Sequence, residues 1–572
     1  MKPRLHVVLL VLLVAVPARA ARPYRGGVIA SAYPEAAAAG LQMLDRGGNA
    51  VDAAVAAAFA AGVVGPYHNG LGGGGFALAF LPGKDTLGLD FREVAPAAAT
   101  RDMFLRDGKP VPGLSTDGAL SVAVPNAVNG YLALLEKAGS LPRSVVLGPA
   151  IKLARDGFVV GPKYRQTAAG RLECLRKDPE AARIFLRATP GGPPEVPPLG
   201  THLRQPALAR TLERIAAGGA PVVRTGPIAR AIVQTVQEAG GILSADDLAR
   251  VRPRWRAPLL GSYRGHHIAA FPPPGGGGTI LLETLGVLER LRPERFERRA
   301  PADLHLYLEA LRRAYADRAR FIGDPDQVEV PVARLLSAEH LSELAAGIDP
   351  RHATSSTAFG NPAGASLASP PSEARHTTEI SVLDRAGNAV ALTTTVNTWF
   401  GSCLVARGTG LLLNDEMDDF SVQPGVPNVY GLVYGESNSI APGRVPVSSM
   451  TPTLVFQKER PDRVLLVVGG SGGSFIPTAV VQVVLNVVDA RMNLPSAVTA
   501  GRVHHQWLPD TVLVNPDSID PATRSALEAM GHTFKVVDTP LAGVEAVLED
   551  PETGLRSAAS DPRGEGAGLG QP

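Results

Sequence analysis

The stretch from 351 to 376 constrains this chain most. It is rich in Ala, Ser, Pro, Gly and Thr, shows little periodicity and reads as a linker or flexible tail. Regular structure resumes abruptly behind it. Thr378 to Leu383 reads as a strand, Asp384 to Asn388 as a turn and Ala389 to Val396 as a second strand, together a β-hairpin. Thr377 sits at the junction. A threonine hydroxyl is a weak nucleophile unless a base lies beside it, and an N-terminal threonine supplies its own in the α-amine, with a pKa of about 8. In mid-chain that nitrogen is an amide without such basicity. Chemistry at Thr377 therefore requires cutting the His376–Thr377 bond. The bland alternative is a threonine that merely opens a strand.

The chain begins with a basic Met1-Lys2-Pro3-Arg4, followed by an apolar run from Val7 to Val16 and then Ala18-Arg19-Ala20. That pattern predicts a secretory signal peptide over 1–20, cleaved after Ala20, and a protein exported to the periplasm or the extracellular space. The run is too short for a membrane span, so no stable span is expected once the signal is removed. Lys+Arg 56 against Asp+Glu 54 leaves no basic excess for a dedicated nucleic-acid binder. Cys174 and Cys403 are too few for a disulfide framework or a cysteine-rich zinc site, and are expected to be free and buried.

Glycine clusters punctuate the rest. An Ala-rich, helix-forming stretch over 34–64 breaks at Gly47-Gly48, its small residues suited to close helix packing. Gly70, Gly72 and Gly75 have the spacing of a dinucleotide loop, but a strand follows them where a helix is required. Gly275 to Gly278 lies between a strand and a helix yet lacks the lysine that grips a phosphate, so a structural turn is expected. Ala302 to Arg320 reads as an amphipathic helix. Gly469-x-Ser471-x-Gly473 follows a strand and precedes a long apolar helix. It matches a serine-hydrolase elbow, with Asp489 and His504 or His505 downstream. Glycine amides at a helix start also suit a different task, donation to an oxyanion. The acidic cluster Glu416, Asp418 and Asp419 is either a solvated loop or a holder of an ammonium group. Arg92 could be an ordinary surface ion pair, and Ser448-Ser449 a plain loop.

Taken together and in order, these segments resemble the γ-glutamyltranspeptidase (glutathione hydrolase) family. The resemblance is carried by Gly47 to Ala54, Gly70 to Phe76, Asp90-Phe91-Arg92-Glu93, Thr377-Thr378, Thr395 to Thr398, Leu413 to Ser421, Pro424 to Tyr430, Ser448 to Met450, Gly472-Gly473-Ser474 and His504 to Pro509. It implies an N-terminal-nucleophile hydrolase, an α/β (α+β) chain folded as a four-layer αββα sandwich. It implies a precursor that cuts itself before Thr377 into a large subunit 21–376 and a small subunit 377–572, which stay together as a heterodimer. By position, Thr377 is the nucleophile and Thr395 orients it. Arg92, Ser448 and Ser449 hold the substrate α-carboxylate. Asn397, Glu416 and Asp419 hold its ammonium, Gly472 and Gly473 form the oxyanion hole, and Tyr430 belongs to a lid. The implied donors are γ-glutamyl compounds such as glutathione, the acceptors water, amino acids or dipeptides, and no cofactor or metal is needed.

This sequence departs from the family's pattern at four places. Glu379 follows Thr377-Thr378, Glu416 stands where some bacterial members have Gln, Phe475 replaces a common Arg, and the stretch from Met450 to Gly472 is a few residues longer. Two other readings stay open. One is a related acylase of the same fold acting on glutaryl or polyglutamate substrates. The other is a non-catalytic exported binding protein.

Overall fold

Alternation along Gly74–Phe80 sets the layering. Phe76, Leu78 and Phe80 belong to one hydrophobic core and Ala77 and Ala79 to another, so this strand is buried on both faces. The protein is described here from a computed structural model covering residues 23–292, 294–298, 300–360 and 377–572. The expected signal peptide over 1–20, His376 and the part of the expected tail over 361–376 lie outside the described residues.

One sheet contains β1 (Val28–Ser31), β2 (Gly74–Phe80), β3 (Leu87–Asp90), β4 (Arg254–Arg256), β7 (Thr378–Leu383), β8 (Ala389–Thr395) and β13 (Ala567–Gly570), in the order β4-β3-β2-β8-β7-β1-β13. The second contains β5 (Leu259–Tyr263), β6 (His266–Ala270), β9 (Thr453–Phe456), β10 (Val464–Ser471), β11 (Gly543–Glu549) and β12 (Arg556–Ser560), in that order. Every pairing within both is antiparallel. The sheets meet face to face: Phe76 stacks on Phe271 with centroids 4.1 Å apart, and Phe80 meets Phe456 edge-on at 5.1 Å.

Helices cover the outer faces. α1 (Pro34–Asp45) and α2 (Ala50–Val64) lie on the first sheet. All of α2 is buried, and its alanines permit that close approach. Asn49 and Asp52 cap it reciprocally, which fixes where it starts after the Gly47-Gly48 break. α3 (Gly277–Leu291), α4 (Pro301–Phe321), α5 (Ala338–Ala346) and α6 (Ile476–Val488) belong to the layer on the second sheet. The result is the αββα sandwich of the N-terminal-nucleophile hydrolases, as expected. The hairpin of β7 and β8 lies at its centre and carries Thr377 at the mouth of β7.

Two expectations are corrected. Cys174 and Cys403 are bonded to each other, their Cα atoms 5.9 Å apart. Arg171 donates to the Gly401 carbonyl at 3.0 Å, which brings the two segments together across 229 residues of sequence. The tail does not begin at 351. Ala353 donates to the Met530 carbonyl, Ser356 to Asp510, and the Trp507 indole to the Ser356 carbonyl, so 351–360 is docked on the domain. Backbone groups of the segment make these bonds, which its Ser/Ala/Thr composition does not announce, and Arg313 adds one to the Thr354 hydroxyl.

Candidate active site

Thr378 pairs with Thr394 across the hairpin, which brings Thr377 beside Thr395. The Thr377 hydroxyl donates to Thr395 Oγ1 at 3.3 Å, and the Asn397 amide donates to the same oxygen at 2.9 Å. Thr395 is thereby fixed from two sides. A Cβ on Gly73 would lie 1.9 Å from the Thr395 carbonyl oxygen and one on Gly75 2.2 Å from that of Thr393, so these two glycines permit the close approach to β8, while Gly72 and Gly74 make room for Leu412 and Glu93. The Thr377 amide donates to the His68 carbonyl at 3.1 Å. Thr377 itself has φ +95°, a conformation a β-branched residue rarely adopts.

Thr377, Thr395, Asn397, Glu416, Asp419, Tyr430, Ser448, Ser449 and Gly473 line one cavity of about 20 Å³. The predicted site residues therefore converge, although Arg92 and Gly472 do not line it. Arg92 is buried behind it. Its guanidinium donates to Glu416 and, at 2.8 Å, to Asp419, with Glu93 at 3.4 Å. It is no surface ion pair, and in this state its donors face the acidic residues and not Ser448 or Ser449. Burial pulls the Arg92 guanidinium down, but Glu416, Glu93 and Asp419 outweigh it and hold it above its ordinary value. Burial also raises the carboxyls: Glu416 and Asp419 are each pushed up to about 8, partly offset by Arg92. Three acids crowd one guanidinium, so burial and mutual repulsion disfavour their charged forms, and a second cation beside them would stabilise those forms. The acidic cluster is thus buried and not a solvated loop.

Asn397, at φ +74°, donates to the Asp415 carbonyl at 3.0 Å and accepts the Tyr430 hydroxyl at 2.6 Å. Asn428 Oδ1 holds the Tyr430 turn by accepting from the Tyr430 and Leu432 amides. The ring lies on Gly473, where a Cβ would stand 2.4 Å from its Cδ1. Tyr430 therefore bridges the glycine loop and Asn397, a contact invisible in the sequence. A cavity of about 20 Å³ is no larger than one water.

Arg318 was missed. Read as part of an amphipathic helix, it is instead fully buried, because α4 is covered nearly all round. Its guanidinium donates to Ser449 Oγ at 3.1 Å and to the Tyr434 hydroxyl at 2.8 Å. It is the cation that stands beside the Ser448-Ser449 pair. The serine-elbow reading has no support in the geometry. His504 bonds Thr478 and Gln506, Asp489 bonds Tyr263 and Arg264, and His505 contacts Asp510.

Glu379 lies buried between the sheets, and Gly469 makes room for it, a Cβ there falling 2.3 Å from its Cδ. Thr393 and Ser381 donate to it, yet burial pushes its carboxyl up to about 8. A carboxyl raised in the folded state binds its proton more tightly than in the unfolded chain. Its contribution to stability is full at acidic pH and is lost as pH rises toward 8. Glu379→Gln is expected to match the wild type near pH 5 and to exceed it at pH 8 by on the order of 3 kcal/mol. Thermal unfolding of both proteins at the two pH values checks this.

Comparison with known proteins places the chain in the family it resembles. A family model described as Gamma-glutamyltranspeptidase matches residues 36–571. The chain is 40% identical over 515 residues to the glutathione hydrolase proenzyme of Pseudomonas sp. strain A14, covering 89% of this chain and 86% of that one. It is 40% identical over 541 residues to the glutathione hydrolase proenzyme of Escherichia coli K12, covering 94% and 90%. Among solved structures, the cephalosporin acylase of Bacillus halodurans superposes with a TM-score of 0.83 at 26% identity, covering 99% of this chain and 98% of that one.

Proposed function

The chain belongs to the γ-glutamyltranspeptidase family, and we propose that it is an exported γ-glutamyltransferase and glutathione hydrolase that matures by cutting itself before Thr377. The observation that carries this reading is the Thr377 hydroxyl, 3.3 Å from Thr395 and opening on a cavity with an acidic pole. The word proenzyme in the names of two relatives supports the cleavage.

In the precursor, Thr377 Oγ1 attacks the His376 carbonyl carbon. The C–N bond breaks as the ester forms, the nitrogen takes up the hydroxyl proton, and water hydrolyses the ester. The freed α-amine stays beside the His68 carbonyl and serves as the base. In turnover it takes the Thr377 hydroxyl proton as Oγ1 adds to the γ-glutamyl carbonyl. It then returns the proton to the leaving amine as the C–N bond breaks. The acyl-enzyme passes its γ-glutamyl group to water or to an amino acid or dipeptide. The glycine loop at 472–473 stabilises the oxyanion.

The pocket reads a zwitterion. Arg318 beside Ser449 is the cationic end, and Glu416 with Asp419 is the anionic end. The second reading, a glutaryl acylase, is favoured by the likeness to the cephalosporin acylase but gives Glu416 and Asp419 no cationic partner besides Arg92. Charge-assisted contacts contribute about 1.5–3 kcal/mol each. The mature enzyme is therefore expected to hydrolyse γ-glutamyl anilide with kcat/KM on the order of 10-fold or more above glutaryl anilide. The reverse order would replace the γ-glutamyl reading with the acylase one.

The raised carboxyls set a pH dependence. The substrate ammonium binds the ionised form, so a proton on Glu416 or Asp419 competes with it. KM for a γ-glutamyl donor is expected to fall by about tenfold from pH 6 to pH 8.5. Glu416→Gln should flatten that profile. A KM independent of pH in the wild type would count against the ammonium assignment.

Among the described residues no helix is long and apolar enough to cross a membrane. Export rests on the signal-like segment at 1–20, and a mature large chain that starts at Ala21 is the expected sign of it.

A further inference from the structure

Three helices of one outer layer converge on a group that acyl transfer does not use. Glu283 comes from the middle of α3, Asp317 from the C-terminal part of α4 and His340 from the first turn of α5. One ligand-capable atom of each lies within 4.8 Å of the others. None of the three lines the cavity at Thr377.

Glu283 is 1% exposed, and neither of its carboxylate oxygens has a hydrogen-bond partner among the described residues. A buried carboxylate left without a donor or a cation is strongly disfavoured. Burial, with Asp317 adding to it, raises the Glu283 carboxyl well above its ordinary range. His340 Nε2 contacts Asp317 Oδ2 at 2.8 Å and has no contact of that kind with Glu283. Arg334 acts on both carboxyls through its field, but its guanidinium sits over the Phe321 ring, 4.5 Å from the centroid. Arg320 acts on Asp317 alone.

We propose that Glu283, Asp317 and His340 bind a divalent transition-metal cation of the Zn²⁺ class. An imidazole nitrogen with two carboxylates is a donor set such ions accept, with water in the remaining position. Their ligand atoms stand about 2.0–2.2 Å from the metal, hence about 3.3–3.6 Å from one another in a tetrahedron. The cluster contracts to that size by small side-chain rotations. The Asp317 and His340 side chains are 17% and 13% exposed and give the ion a way in. Ser337 Oγ accepts the His340 amide at 3.1 Å and holds the first turn of α5 in place. The ion ties α3, α4 and α5 together.

The test is calorimetric titration of the mature, untagged, chelator-stripped protein with Zn²⁺, with Ca²⁺ as the comparison. One Zn²⁺ is expected to bind per heterodimer with a Kd of about 1 μM or below. Glu283→Gln and His340→Gln should each weaken it by more than about 100-fold, since loss of a ligand exceeds the effect of losing a group that only supports one. Zn²⁺ should raise the thermal midpoint of the wild type and not of either variant. Hydrolysis of γ-glutamyl anilide by both variants should stay at the wild-type level, which shows that they fold. Absence of saturable Zn²⁺ binding, a single equivalent that survives both substitutions, or a preference for Ca²⁺ would each overturn the proposal.

Discussion

Thr377→Ala is expected to appear as one uncut chain and to lose γ-glutamyl hydrolysis by on the order of 10⁴-fold or more. Wild type beside it should give two chains by intact mass, the smaller beginning at Thr377. The size of the loss follows from the role assigned. The alanine removes the only atom that forms the acyl bond, so positioning and oxyanion stabilisation have nothing left to act on. The backbone adds a second reason to expect cleavage here. A non-glycine residue at φ +95° carries strain of about 1–3 kcal/mol, and Thr377 is β-branched. Cutting the bond removes the preceding carbonyl, and with it the torsion that stores the strain. Thr377→Ser keeps the hydroxyl and should still cut, with partial activity. An uncut wild-type chain would favour a binding-only relative. Cleavage at the same bond in Thr377→Ala would show that the hydroxyl does not drive it.

The hairpin, the strand that follows Gly70 to Gly75 and the order of the glycine clusters are legible in the sequence because each rests on local chemistry. Turn residues between apolar runs announce β7 and β8, and small residues announce the close packing of α1 and α2. Side-chain partnerships across long separations are not legible in this way. Arg92 meets Glu416 and Asp419 more than 300 residues downstream, and its Asp-Phe-Arg-Glu context looks like a surface pair. Arg318 escapes notice because helical periodicity announces one buried face, whereas α4 is covered on nearly all sides. The pairing of Cys174 with Cys403 and the docking of 351–360 depend on tertiary contacts that composition does not encode. The resemblance to a family brought the site residues together by number. What it did not contain was the seating of Tyr430 on Gly473 and of Glu379 beneath Gly469.

That seating makes Gly473→Ala the second large effect. At φ +56° an alanine costs about 1–2 kcal/mol in backbone strain alone, which the fold tolerates. The added Cβ would also stand 2.4 Å from Tyr430 Cδ1 and 2.6 Å from Cε1, too close for either to stay. Either the ring leaves Asn397 or the glycine amide turns away from the oxyanion. Losing one oxyanion donor lowers kcat by about 10²–10³-fold, and that is the fall expected for γ-glutamyl anilide. The same amide would serve self-cleavage, so the fraction of cut chain is read first and kcat is taken per cut enzyme. Tyr430→Ala separates the two causes by a double-mutant cycle. If the ring is what the methyl displaces, adding Tyr430→Ala to Gly473→Ala should restore kcat to the level of Tyr430→Ala alone. If the amide has turned, the double variant stays as slow as Gly473→Ala. A Gly473→Ala enzyme within about threefold of wild type would mean that the amide keeps its aim or takes no part in stabilising the oxyanion, because a lost donor is a far larger effect.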